Sequence, residues 1–159
     1  MSIKNTLPFR WAGGKFYALK KLKKFRENHK HEEYREPFFG GGSVFFSKDK
    51  CKSNWINDID GDLINTLKII QDPIMRQELI SFFNHEDEAT KERYEEVKNF
   101  IPKNKIERAQ KYYYLNRTSF SGKMKNPSWG YRPKRSLPPN RWKERIVNSG
   151  EKLRDVKIT

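Results

Sequence analysis

The stretch "REPFFGGGSVFF", residues 35–46, sets three consecutive glycines between aromatic residues in a chain that has only nine glycines. A strand ending at Phe38 or Phe39, a glycine turn and a helix opening at Ser43 would bring bare backbone against a nucleotide-like ligand. Alone, the run is equally compatible with a tight structural turn. Counted from Gly40 and Gly42, the third glycine of a G-x-G-x-x-G dinucleotide fingerprint falls on Phe45, so that fingerprint is incomplete. A P-loop is excluded as well, because Gly13-Gly14-Lys15 is followed by Phe16 where a Ser or Thr would hold magnesium.

The next acidic cluster sharpens the reading. "WINDID" closes a second apolar stretch and places Asp58 near the offset of about 20 residues at which a carboxylate grips ribose hydroxyls in Rossmann-like sites. The alternative is that Asp58 or Asp60 caps the following helix. Hydrophobic spacing predicts helices over about 15–27 and 61–71, short strands over 34–39 and 53–57, and a helix opened by Pro73 that carries Leu79, Ile80, Phe82 and Phe83. "EATKERYEEVKNF" and "NKIERAQKYYYLN" predict two more helices. After Arg117 the chain turns to Gly, Pro, Ser and Asn with interleaved aromatic and basic residues, which predicts a loop or hairpin. The first strand, "HEEYRE", is more polar than a strand buried on both faces.

At 159 residues the chain fits one domain. Its formal net charge of +14 points to a polyanionic partner, with nucleic acid ahead of an acidic membrane. The excess is localised: residues 103–145 hold thirteen Lys and Arg against Glu107 and Glu144, or +11 of the +14. The lysines of "LKKLKKFREN" instead suit the solvated face of an amphipathic helix whose apolar side holds Phe16, Leu19, Leu22 and Phe25. No apolar run reaches membrane-spanning length and the start lacks a signal peptide's pattern, so a cytoplasmic protein is expected. Cys51 has no partner spaced for zinc or for a nucleophilic pair. His29, His31 and His85 read as surface residues, and no metal site is expected.

Four motifs carry a resemblance. "FRWAGGK" (residues 9–15), "EPFFGGGSVFF" (36–46), "NDIDGDLI" (57–64) and "YYLNRTSFSGK" (113–123) resemble, in order, successive motifs of the Dam-type DNA adenine-N6 methyltransferases. The resemblance spans essentially the whole chain. It implies an α/β fold: a partial Rossmann-like domain dependent on S-adenosylmethionine (AdoMet), with a mainly helical DNA-recognition insert. Residues 1–72 would bind cofactor, 73–145 would form the target-recognition insert, and 146–159 would return to the methyltransferase domain. Trp11, Lys15 and Asp58 match cofactor-binding positions. The glycine-rich loop with Glu36, Phe38, Gly40, Gly42 and Ser43 matches the cofactor loop. The chemistry agrees: Trp11 offers a flat face for adenine, Lys15 a cation for a carboxylate, and Asp58 paired acceptors for ribose. The glycines would let the cofactor's methionine end lie against backbone.

By the same resemblance the basic segment is the DNA-contacting insert. Phe120 falls at the position of an aromatic residue that enters the duplex as the target adenine flips out, with Ser121 beside it. Arg117, Lys123, Lys125, Arg132 and Lys134 would meet phosphates or base edges, and Arg10 a guanine. The implied partner is double-stranded DNA.

One element is missing. The family carries an Asp-Pro-Pro-Tyr type motif at the end of a core strand, and this chain has only "DPIM" (residues 72–75) and "NPSW" (126–129). The polar, glycine-containing "SGKMK" before Asn126 does not read as a buried strand, which leaves Asn126 a weak catalytic candidate. "EKLRDVKIT" reads as a helix end and the start of a strand, so the chain is expected to be the front portion of a longer adenine-specific DNA methyltransferase. The alternative is a non-catalytic DNA-binding remnant, or half of a split enzyme completed by a second polypeptide.

Overall fold

The computed structural model describes residues 6–27, 31–83 and 88–159. His29 and His85 lie outside them, and His31 is exposed. A short 3-10 turn, Lys15–Ala18, runs into α1 (Leu19–Glu27). Then follow β1 (Glu33–Glu36), α2 (Ser43–Phe46), β2 (Ser53–Ile56), α3 (Gly61–Gln71), α4 (Pro73–Ser81), α5 (Lys91–Asn99), α6 (Lys105–Thr118), α7 (Trp142–Leu153) and β3 (Lys157–Ile158). Local chemistry sets most of the helix starts. The side chains of Asp60, Asp72, Thr90 and Asn104 each accept from backbone N–H groups in the first turn of α3, α4, α5 and α6, and Pro73 fills the first helical position of α4.

The strands form one parallel sheet in the order β1-β2-β3, with Tyr34 beside Asn54, Ile56 beside Glu36, and Ile56 beside Ile158. The first strand stops at Glu36, short of the 34–39 span that periodicity predicts. The next donor toward β2 in the alternation is Phe38, but Phe39 N–H reaches the Asn57 carbonyl instead, at 2.9 Å, while the Pro37 carbonyl accepts from Asn57 Nδ2 at 3.0 Å. The polarity of β1 has a cause too. Tyr34, Asn54, Ile56 and Ile158 face the core side, whereas Glu33, Arg35, Ser53 and Lys157 on the opposite face are exposed.

One continuous apolar cluster holds the helices to the sheet, running from Phe39, Phe45 and Ile56 through Leu63, Leu67 and Ile70 to Leu79, Tyr113, Trp142 and Ile146. Helix α3 lies at its centre, packed on α4, α6 and α7. Full burial of each such side chain contributes about 1.5–3 kcal/mol. The boundaries at 72/73 and 145/146 therefore fall inside a shared core. Helix α1 departs from the simple amphipathic expectation: Phe25 is 77% and neighbouring Tyr17 95% exposed, and only Phe16, Leu19 and Leu22 are half-buried. Among the described residues no helix is long and apolar enough to cross a membrane.

Candidate functional site

Residues 6–11 are laid across α6 and α7 as an extended strap. Ser149 Oγ donates to the Thr6 carbonyl at 2.8 Å, and the ring of Phe9 meets Tyr112 and Tyr113 at 5.7 and 6.0 Å. Asn116, fully buried on α6, clamps Arg10 from both sides: its Oδ1 accepts from Arg10 N–H at 2.8 Å and its Nδ2 donates to the Arg10 carbonyl at 2.9 Å. The same amide reaches the Gly122 carbonyl at 3.2 Å. Trp11 is thereby delivered to the glycine turn.

The turn is built around that indole. A β-carbon on Gly41 would meet Trp11 Cβ at 2.6 Å, and one on Gly42, at φ 66°, would meet Phe39 Cζ at 2.4 Å. No side chain fits at either position. The glycines are thus required by the protein's own packing, before any ligand is considered. Trp11, Lys15, Glu36, Phe38, Gly40, Gly42 and Ser43 all line one cleft of about 80 Å³ here. Asp58 braces its rim: Oδ2 accepts from Gly40 N–H at 2.7 Å and Oδ1 from Asp60 N–H at 3.0 Å. The helix cap is Asp60, whose Oδ1 accepts from the N–H groups of Asp62 and Leu63. The two aspartates have therefore divided the roles that the sequence left open between them. Asp60 Oδ2 also accepts from the phenol of Tyr112 at 3.1 Å; burial first, then this carboxylate, hold that phenol above its ordinary range.

These groups fit AdoMet chemically. Each Asp58 oxygen has a lone pair beyond its backbone bond, the Lys15 ammonium is exposed and among the described residues makes no ion pair, and the cradle is bare backbone faced by an aromatic ring. The space does not open while the indole rests on Gly40 and Gly41.

The second site is the segment after α6. Ser119 pairs with Trp129 in an antiparallel bridge, Phe120 N–H donates to the Ser128 carbonyl at 2.8 Å, and Gly130 N–H to the Thr118 carbonyl at 2.9 Å. Trp129 anchors this closure on Tyr94 of α5 at 5.5 Å. From it project Phe120, 49% exposed, and the exposed cations Lys123, Lys125, Arg132, Lys134 and Arg135. Ser121 sits at φ 54° beside Phe120, and Asn126 occupies another left-handed position on the exposed loop, away from the residues lining the cleft. Neither DNA arginine of the earlier motifs stands free. Arg117 is buried, with Nε on the Tyr113 hydroxyl and Nη2 on the Leu7 carbonyl, both at 3.4 Å, and Arg10 is half-buried beside it. Sequence reasoning missed Asn116 and Tyr112 as the groups that lock both sites to α6; each lies inside the quoted run around "YYLNRT" or one residue before it. Among the described residues no group of three His, Cys, Asp or Glu is placed to hold a metal ion.

A family model described as "D12 class N6 adenine-specific DNA methyltransferase" matches residues 11–156. A DNA N-6-adenine-methyltransferase of Escherichia phage P1 is 35% identical over 72% of this chain and 15% of its own length. A type II methyltransferase of Methanocaldococcus jannaschii is 30% identical over 95% of the chain and 60% of its own length. A DNA adenine methylase of Salmonella typhimurium is 32% identical over 75% and 43%, respectively. The chain thus spans at most three fifths of these relatives.

Proposed function

The chain belongs to the D12 class of N6 adenine-specific DNA methyltransferases, and from that membership we propose that it forms the cofactor-binding and DNA-reading part of an AdoMet-dependent adenine-N6 methyltransferase acting on duplex DNA. The observation that carries the reading is the 2.7 Å bond between Asp58 and Gly40. It joins the glycine turn and the acidic motif at the carboxyl ends of β1 and β2, the end of an open α/β sheet where ligands sit. When bound, AdoMet supplies a methyl group on sulfonium sulfur that a nitrogen lone pair can displace in line. Asp58 suits the ribose hydroxyls and Lys15 a carboxylate, while Trp11 suits an adenine face once its indole has left the glycines. Lys123, Lys125, Arg132 and Lys134 hold phosphates, and Phe120 fills the stack that the flipped adenine leaves. Residues 1–72, 73–145 and 146–159 then divide these roles within a partial Rossmann-like sheet and its helices.

The adenine amino group also needs an acceptor, and the sheet supports a location for one. The carbonyls of Glu32 and Glu36 are used by Ser53 and Asn57 on the β2 side. By alternation the backbone groups of Glu33 and Arg35 point to the other edge, which pairs with no strand among the described residues. A further parallel strand added there would end beside the glycine turn. That strand comes from the remaining length seen in the relatives or from a second polypeptide; until it is present the chain is a platform.

The test is incubation with unmethylated duplex and methyl-labelled AdoMet, together with calorimetric titration of AdoMet. Binding without label on adenine N6 is the expected result for the platform. Label above a Trp11→Ala, Asp58→Ala double control would place an acceptor within this chain. No AdoMet binding at all sinks the reading. Asp58→Ala should weaken AdoMet at least tenfold; an unchanged affinity would leave Asp58 a loop brace only.

A further inference from the structure

Three arginines meet beneath the Phe120 turn with no carboxylate among them. Arg117 and Arg145 both donate to the Leu7 carbonyl, at 3.4 and 3.3 Å. Arg10 Nη1 donates to the carbonyls of Arg117 and Ser119, at 3.4 and 3.1 Å. Elsewhere six arginines reach an acidic partner, but among the described residues none of these three does. The nearest acid in sequence, Glu144, is held by Arg141 at 3.0 Å. Carbonyls at the end of α6 account for one cation, since a helix C-terminus favours positive charge. They do not account for three. Like charges brought together and partly desolvated repel, and Arg10 and Arg145 are both held below the ordinary arginine range, by burial first and then by Arg117. Among the described residues no carboxylate forms an ion pair with the cluster, and Glu144 acts on Arg145 only from its pair with Arg141.

The free donors say where a counter-ion would sit. Arg117 is buried and forms the floor. Among the described residues, Nε and Nη2 of Arg10 and Arg145 make no hydrogen bond, and both side chains are only half-buried. Arg117 and Arg145 share the Leu7 carbonyl, and planar guanidinium forks gathered in this way suit a tetrahedral oxyanion. Gly122, on the Phe120 turn, sits directly on Arg10, where a β-carbon would lie 2.6 Å from the Arg10 carbonyl. We propose that Arg10, Arg117 and Arg145 form a cradle for one backbone phosphate of bound DNA, next to the nucleotide that Phe120 addresses. The inference rests on the DNA-binding reading above and adds to it Arg145, a residue outside the motifs.

The test uses fluorescence anisotropy of a labelled duplex with wild type, Arg145→Ala and Arg145→Lys, each checked for folding by thermal melting. Arg145→Ala should bind about 10–100-fold more weakly, the loss of a hydrogen bond to a charged group. Its log affinity against log salt slope should be shallower by about one. Arg145→Lys should restore the slope. A duplex series with single neutral methylphosphonates should contain one position that weakens wild type but not Arg145→Ala. Unchanged affinity and slope in Arg145→Ala, or a series that weakens both proteins equally at every position, overturns the cradle while leaving DNA binding intact. Inorganic phosphate that moves the Arg145 Nε resonance when duplex does not would also overturn it, assigning the cluster to free anions. Failure of wild type to bind duplex would instead overturn the DNA reading itself.

Discussion

The glycine cleft and the basic loop solve opposite problems with the same residue type. In the cleft, the glycines are pressed by side chains: Trp11 over Gly40 and Gly41, Phe39 under Gly42. In the loop, Gly130 is pressed by backbone, since a β-carbon there would lie 2.4 Å from Phe120 Cα and 2.5 Å from Phe120 N. The indole edge over Gly40, 3.1 Å away on a ring that is 36% exposed, can swing aside, and a backbone held in a bridge cannot. The cleft is therefore built to open, and the loop base to stay shut. The sharpest way to break this contrast is to fill both. Gly130→Val should cost about 3 kcal/mol, the upper range for overpacking, and lower Tm by roughly 6–12 °C. Gly40→Ala should cost only about 1–2 kcal/mol, the cost of its left-handed φ of 52°, because its nearest contact is the indole Nε1 of Trp11 at 3.1 Å and that ring, 36% exposed, can turn aside. Differential scanning calorimetry of the two variants would read the difference; equal losses would mean that the indole is as fixed as the backbone.

The two regions are nevertheless one unit, and Asn116 is the reason. Its buried amide holds both polar groups of the Arg10 backbone, one residue before the cleft's indole, and also the Gly122 carbonyl of the loop. Asn116→Ala leaves three backbone groups without this partner, the Gly122 carbonyl buried and the two of Arg10 partly so, and should cost about 2–3 kcal/mol by chemical denaturation. Cofactor affinity and DNA affinity should fall together. A fall in only one of them would mean that strap and loop are positioned independently.

How much of this could be read from the chain follows physical range. Helix starts were legible because their signals are local: an aspartate, threonine or asparagine bonding two or three residues on, and Pro73 at a first position. The cleft was legible because its residues come from short motifs whose order resembles a family. What stayed hidden depends on contacts between distant segments. The division of labour between Asp58 and Asp60 turns on whether Gly40 or Asp62 presents its N–H, which no local pattern encodes. Arg117, which the resemblance makes a DNA contact, is buried, with its guanidinium on the carbonyl of Leu7, 110 positions earlier. The early end of β1 is of the same kind, since it depends on Asn57, 20 positions on, bonding the Pro37 carbonyl through its side chain.

The smallest effect separates the two aspartates further. Tyr112 donates to Asp60 and lies against the turn that carries Asp58, so its phenol reports on the brace between the cleft and α6. Burial and the Asp60 carboxylate both disfavour phenolate, which raises the folded pKa above the ordinary value of about 10 that applies in the unfolded chain. For a raised pKa, the stabilising contribution is complete below about pH 10 and is lost as pH rises from there toward the folded value. Tyr112→Phe should lower stability by about 1 kcal/mol at pH 7, the net value of one hydrogen bond. It should also flatten the decline between pH 9 and roughly pH 11, because the unfolded chain gains one fewer ionising phenol. Tyr114, held high chiefly by burial, will leave part of the decline in place. Urea unfolding at stepped pH measures both arms. An unaltered alkaline slope with a lowered neutral stability would mean that Asp60 serves α3 as a cap and couples nothing to α6, and the comparison between a cleft that opens and a base that stays shut would then rest on Asn116 alone.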